Sequence, residues 1–291
     1  MNKKKLLLVF VVLFFLKADF VIAEVQKEYY ANGALKADWN YLNGKREGKS
    51  KVYYQSGKLK ILSNYKDREL HGVTTIFHEN GNVDSEQNFS NGKQEGISKF
   101  YNKNGRLNAE INYKNWQQEG KSKKYYENGN LESELNFKKG VLDGISKLYY
   151  ETGQIKSTTS YKNGKREGEE KEFFKNGKLE HERNFKADKK EGVAKEYYES
   201  GQLKIEANIR DNKPEGLSKI YFENGELAVV MNYQNGNPVG LHKGYFENGG
   251  KYWETKYTDG MKENYKEYYG NGGIRKIKKY KNGVLIFNEE Y

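Results

Sequence analysis

Residues 125–140 read YYENGNLESELNFKKG. Two extended runs flank Asn128-Gly129. The first ends in a pair of aromatics. The second alternates, with Leu131, Ser133, Leu135 and Phe137 on one side and Glu132, Glu134 and Asn136 on the other. Side chains of a strand alternate with period two. Asn-Gly between two such runs signals a hairpin, because a type I′ turn needs positive φ at both central residues. The segment therefore reads as a β-hairpin with Asn128-Gly129 as its two-residue turn. That register sets Glu127 against Asn130, Tyr126 against Leu131 and Lys124 against Ser133. Tyr126 then shares the apolar side, and Tyr125 the polar side.

The hairpin is one of a series. Glycines fall at 33, 57, 81, 105, 129, 153, 177, 201, 225 and 249, always 24 apart. A second series runs from Gly48 to Gly240 with the same period. A third place holds Gly44, Gly92, Gly140, Gly164, Gly236 and Gly260, with Arg68, Trp116, Asp188 and Asn212 standing in for glycine. The same faces recur: Tyr54 with Leu59, Ile61, Ser63 and Tyr65, and Tyr198 with Leu203, Ile205, Ala207 and Ile209. The unit around Gly105 departs, because Asn102 stands where the second aromatic is expected, and it reads as irregular or bulged. Small residues in mid-strand (Ala37, Ala109, Ser133, Ser157, Ala207, Ala228) imply close approach, by the sheet curling on itself or by a neighbouring turn.

Only 35% of the residues are hydrophobic and 31% are charged. So polar a chain cannot fill a thick core. A repeat array needs only neighbour-to-neighbour burial. Helix is excluded by the recurring glycines, each costing a helix interior roughly 1 kcal/mol relative to alanine. The expected fold is all-β, an elongated single-layer antiparallel sheet of tandem 24-residue β-hairpin repeats over residues 24–291. It comprises about ten to eleven units, the last a divergent cap whose spacing shortens to Gly272 and Gly283. At about 4.8 Å per strand the array advances about 10 Å per unit, to the order of 100 Å.

The N-terminus has the order of a secretory signal peptide. Lys3, Lys4 and Lys5 precede an unbroken apolar run, Leu6–Leu16, and a segment ending in Ala23. A run of eleven is short for a bilayer. The expectation is a leader over 1–23, cut after Ala23 or Ala18, and an exported protein in the periplasm, on the outer surface or secreted. There is no cysteine, hence no disulfide, thiolate metal site or cysteine nucleophile. The net charge is +11. Loss of the leader removes four lysines and one aspartate and leaves +8. Lys and Glu are interspersed, without a block of one sign. An anionic lipid or glycan surface, or an acidic protein, fits this balance better than nucleic acid.

The units resemble MORN repeats, most closely the bacterial variant form. The motifs stand as YYENGNL at 125–131, YYESGQL at 197–203, YKNGKREG at 161–168 and YLNGKREG at 41–48. The resemblance covers almost all of 24–291. It implies single-layer hairpin sheets and a role as a scaffold, a protein-binding module or a lipid-associated module. Some bacterial relatives are labelled antitoxin components.

Residues for chemistry are sparse. His71, His78, His181 and His242 show no metal-ligand spacing, and no phosphate loop, nucleophile elbow or HExxH motif occurs. No enzymatic activity, cofactor or metal is expected. Glu47, Glu95, Glu119, Asp143, Glu167, Glu191 and Glu215 precede the second glycine series. They read either as a row of cation contacts or as turn carboxylates accepting backbone hydrogen bonds. The best binding candidate is the aromatic column on the polar face, chiefly Tyr53, Tyr125, Tyr149, Phe173, Tyr197, Tyr221 and Tyr245. Tyrosine among basic residues is good interface material, although cross-strand packing on lysine stems is the more economical account of it. Trp116, in a turn, is the tryptophan expected to be most exposed. The expected function is an exported scaffold or protein-interaction module. Alternatives are a surface-binding module for anionic lipid or polysaccharide, and an antitoxin-like partner. Edge strands offer a route to self-association.

Overall fold

The computed structural model describes residues 22–291. The expected leader lies outside the described residues except for Ile22 and Ala23, and Ala23 opens the first strand, Ala23–Tyr29. The described residues form strands and turns, with no helix. They divide into two compact units, one ending at Val141 and the other running from Leu142 to Tyr291. Each unit is an antiparallel ladder of tandem hairpins. In the first, Gly48–Tyr53 pairs with Leu59–Lys66, which pairs with Gly72–Phe77. In the second, Gly192–Tyr197 pairs with Leu203–Arg210, which pairs with Lys213–Tyr221.

Two kinds of turn alternate, and the sequence reading assigned one of them wrongly. At Asn128-Gly129 the loop has three residues. The Gly129 N–H donates to the Tyr126 carbonyl and the Tyr126 N–H to the Asn130 carbonyl, both at 2.9 Å. Gly129 has φ 90°, while Asn128 is not among the residues with positive φ. This is a type I turn closed by a left-handed glycine. Asn128 Oδ1 accepts the Asn130 N–H at 2.9 Å. The register accordingly pairs Tyr125, not Tyr126, with Leu131, while Lys124 opposite Ser133 stands as expected. The bulge between these pairs absorbs Glu132. The unit at Gly105 is as regular as the rest: Tyr101 pairs with Leu107, and the bulge beside it recurs in every unit described.

The type I′ turn lies at the third glycine place. Asn43 and Gly44 have φ 50° and 73°, and Asn163 and Gly164 have φ 51° and 80°. The flanking pairs Leu42–Lys45 and Lys162–Lys165 close two-residue loops. Asn-Gly suits both turns, because asparagine tolerates the left-handed region and also caps a type I turn through its side chain. The dipeptide alone therefore does not set loop length. Trp116 keeps the left-handed place at φ 68° and Arg68 at φ 74°, a conformation that costs a side chain about 1 kcal/mol.

The second glycine series makes a wider irregularity. Tyr41 pairs with Arg46, but the next ladder pair is Asp38–Lys51. Two residues on one strand thus face four on the other, which bends the strand. Gly48 takes φ 76°, and the Glu47 N–H returns to the Asn40 carbonyl at 3.0 Å. Ser50, beside this bend, is 1% exposed and Ser98 is fully enclosed. No serine on a flat open sheet would be so covered, so the bends wrap the inner face around it.

That inner face carries Ser133, Leu135 and Phe137 of the apolar ladder expected from sequence, but the bulge at Glu132 puts Leu131 on the outer face with Tyr125, its ladder partner. Most of the enclosed positions are small polar residues, among them Ser50, Ser85, Ser98, Ser122, Ser133, Ser146 and Ser218. The leucines and most tyrosines of the ladder are half-buried. Among the described residues only Ala37, Phe89, Phe185 and Ala228 are buried apolar residues. In a sheet without a second layer, large side chains lie at the rim of the curl and small ones fit beneath them.

Candidate interaction face

On the outer face three columns run across each unit. The middle column is a charge ladder. In the first unit Lys99 lies between Glu86 and Glu110, and Lys123 between Glu110 and Glu134. In the second, Lys195 lies between Glu182 and Glu206. Alternating signs neutralise one another along the ladder, each exposed pair contributing about 0.2–1 kcal/mol.

The aromatic column stands beside this ladder. Tyr53, Tyr125, Tyr149, Phe173, Tyr197, Tyr221 and Tyr245 are all half-buried. Several hydroxyls are committed to the sheet. Tyr53 donates to Asp38 at 3.2 Å, and Tyr101 to Glu86 and Tyr125 to Glu110 at 2.9 Å. In the second unit Tyr268 donates to Glu254 at 2.8 Å. Partial burial, and then the Glu110 carboxylate, push the Tyr125 phenol up to about 12. Phe77 and Phe173 occupy the column where the corresponding acceptor position holds Leu62 and Thr158. The hydroxyl thus tends to follow its acceptor, and much of this column is sheet packing.

The third column was not singled out from sequence. The residue after each second-series glycine points outward from the bend. It is Val73 and Ile97 in the first unit, and Ile145, Val193, Leu217 and Leu241 in the second, all exposed. Leu217 is 51% exposed. Lys49, Lys121 and Glu169 interrupt the series. Val193, Leu217 and Leu241 occur in three successive repeats, each followed on its own strand by a lysine and a tyrosine: Lys195 and Tyr197, Lys219 and Tyr221, Lys243 and Tyr245. Val230 stands in the ladder between Lys219 and Lys243 and leaves each with an acidic neighbour on one side only. Its sequence signal is a second-series glycine followed by an aliphatic residue, as in Gly72-Val73 and Gly216-Leu217.

The turn carboxylates bond as the hydrogen-bonding reading describes. Glu95 accepts the Asn115 N–H at 3.0 Å, Glu119 that of Lys139 at 2.8 Å, and Glu191 that of Asp211 at 3.0 Å. Glu47, Asp143, Glu167 and Glu215 do the same one repeat ahead. The second aromatic of each pair also reaches forward. Tyr30, Tyr54, Tyr150 and Tyr198 donate to the carbonyls of Tyr53, Phe77, Phe173 and Tyr221. Trp116 is 55% exposed and meets Phe89 edge-to-face at 5.6 Å. Among the described residues no group of three or more histidines and carboxylates is placed to hold a metal.

Two histidine and carboxylate positions replace the buried serine. His242 Nε2 sits 2.9 Å from the Asn232 carbonyl and 3.1 Å from its N–H, between the rings of Tyr233 and Tyr257. Glu170 accepts from Arg183 at 3.0 Å, and Arg166 lies 4.0 Å from the centre of the Phe185 ring. Both fill the inner face rather than open it.

These repeats define the class. The chain belongs to the MORN repeat variant family, matched at nine consecutive segments from 25–43 to 214–235. MORN repeats are generally protein- or membrane-interaction modules. Comparison with curated proteins returns no match. Among solved structures the chain is similar to one in the crystal structure of TcdB2-TccC3-Cdc42, at 12% identity and a TM-score of 0.19, over 91% of this chain and 17% of that one. It is also similar to a chain of the Photorhabdus luminescens Tc holotoxin pore with mutant TccC3, at 14% identity and a TM-score of 0.21, over 88% of this chain and 17% of that one. The chain thus spans 17% of the length of each of these, and likeness at this level says nothing of its activity.

Proposed function

We propose that the chain is an exported, non-catalytic module that binds a protein partner at the cell envelope through its outer face. The observation that carries this is the exposed aliphatic series Val193, Leu217 and Leu241 beside Tyr197, Tyr221 and Tyr245. Exposed aliphatics repeated in line cost solubility and contribute nothing visible to the fold, and contiguous exposed apolar surface marks interaction sites. Each lysine beside them has an acidic neighbour in the ladder, Lys219 opposite Glu206 and Lys243 opposite Glu254, so apolar contact rather than net charge supplies the affinity. Export rests on the charged and apolar order of residues 1–23.

The test is capture from an envelope extract with the native chain, Leu217→Lys and Leu241→Lys in parallel. One partner retained by the native chain and lost from both variants supports the proposal. Equal capture by all three removes its basis. Salt-sensitive binding to anionic vesicles by all three would move the function to a lipid or polysaccharide surface, the reading that the net charge of +8 left after loss of the leader favours.

A further inference from the structure

The last repeats differ from the rest on their inner face. Met261–Tyr268 and Ile274–Lys281 form a hairpin whose strand lacks the wide bend. Only Glu263 is skipped between the pairs Lys256–Asn264 and Tyr257–Lys262. Without that bend the serine column ends, and Tyr265 takes its place opposite Lys278. Tyr257, Lys262, Tyr265, Lys278 and Tyr280 then share one half-buried face.

The charges on this face do not balance. The Lys262 ammonium lies 4.5 Å from the centre of the Tyr265 ring and 5.4 Å from that of Tyr280. Among the described residues neither the Lys262 nor the Lys278 ammonium has an ion pair or a hydrogen bond. The nearby acids are already engaged: Glu267 by Arg275 at 2.6 Å and by the Tyr265 hydroxyl at 3.2 Å, and Glu290 by Lys276. Burial first, and then the facing Lys278, hold Lys262 below the usual lysine range. The hydroxyls of Tyr257 and Tyr280 are also without a partner among the described residues. Elsewhere on the chain, lysines such as Lys204 and Lys251 meet a carboxylate within 3.0 Å.

We propose that Lys262 and Lys278, with the hydroxyls of Tyr257 and Tyr280, form a binding site for a phosphate or sulfate oxyanion. Two ammonium groups that repel one another gain most from a shared dianion. Two neutral phenol donors beside them suit a tetrahedral group with several oxygens better than a carboxylate. The rings bound the site on its apolar side and reduce screening by water. This site is on the opposite face from the aliphatic column and does not rest on the proposed partner binding.

The full chain is titrated with inorganic phosphate at low ionic strength by calorimetry, beside Lys262→Gln, Lys278→Gln and the exposed control Lys279→Gln. Expected is saturable one-to-one binding, weakened about tenfold or more in the first two variants and unchanged in the third. Binding that never saturates, or that falls equally in all three, overturns the proposal as general charge attraction. Lysine acetylation read by mass spectrometry provides a second measure on the native chain, where phosphate must protect Lys262 and Lys278 and leave Lys279 reactive. Unprotected Lys262 overturns the proposal even if a variant misfolds. Vesicles of phosphatidylcholine with and without phosphatidic acid separate the sources. Binding that needs phosphatidic acid and is lost in Lys262→Gln assigns a lipid headgroup, and phosphate binding without vesicle binding assigns a soluble ester.

Discussion

The phenolic oxygen of Tyr54 donates to the main-chain carbonyl of Phe77 at 2.6 Å, across one full repeat. The bond is part-buried and satisfies a carbonyl at the mouth of the next turn. Tyr54→Phe should cost about 0.5–1.5 kcal/mol, read from the urea midpoint. Tyr150→Phe and Tyr198→Phe should add nearly independently, since repeat stabilities sum over neighbours. The native Phe174, Phe222 and Phe246 at the same place show that the loss is tolerated.

Trp116 separates strain from contact. Trp116→Gly relieves the left-handed φ of 68° but loses the edge contact with Phe89. Trp116→Ala loses the contact and keeps the strain. The glycine variant should therefore be more stable than the alanine variant by about 1 kcal/mol, measured by thermal unfolding.

The Tyr125 phenol should ionise late. Its folded value is raised from 10.0 to about 12. The stability that this shift represents is present in full below pH about 10 and is lost as pH rises through about 12. Absorbance titration at alkaline pH should show a late phenolate component that shrinks in Tyr125→Phe, the remainder coming from Tyr265, whose phenol is also pushed up to about 12 by burial and then by Glu267.

Glu170 places a carboxylate, 8% exposed, in the line of buried serines. Arg183→Ala removes its nearer partner at 3.0 Å and leaves Arg166 at 3.8 Å, and should destabilise by up to about 3 kcal/mol. Glu170→Ser combined with Arg183→Thr restores residues found at the matching places of other repeats. The pair should be within about 1 kcal/mol of the native chain, by denaturant unfolding of all three.

Leu217→Lys changes an outward side chain that is half-exposed. Its unfolding midpoint should stay within about 0.5 kcal/mol of the native chain. Loss of a partner without loss of stability would identify the aliphatic column as a contact surface rather than a packing element.

The repeat, the strand faces and the two-strand unit were legible because each depends on a periodicity, and Gly33 through Gly249 print that period directly. What was not legible is where one dipeptide serves two geometries. Asn43-Gly44 and Asn128-Gly129 are chemically alike, yet the first has positive φ at both residues and the second only at glycine. The deciding factor is how the flanking strands close, a pairing between residues not adjacent in sequence. The serine core was hidden for a related reason. Ser50 and Ser98 look like solvent residues until the bend at Gly48 and Gly96 encloses them. The aliphatic column was readable, as Gly72-Val73 and Gly216-Leu217 show, but its exposure depends on that same bend. The lysines at 262 and 278 become neighbours only through the shortened final spacing.

The forward-reaching bonds from Tyr54 to Phe77 and from Glu95 to Asn115 close loops of 23 and 20 residues. Closure entropy grows only with the logarithm of loop length, and here that length is set by the repeat, not by the chain. The search that each repeat must make while folding is thus the same in a short array as in a long one. Low mean sequence separation of contacts favours fast folding. Growth by adding or deleting a whole repeat changes the reach of the surface without slowing the route by which any part of it forms.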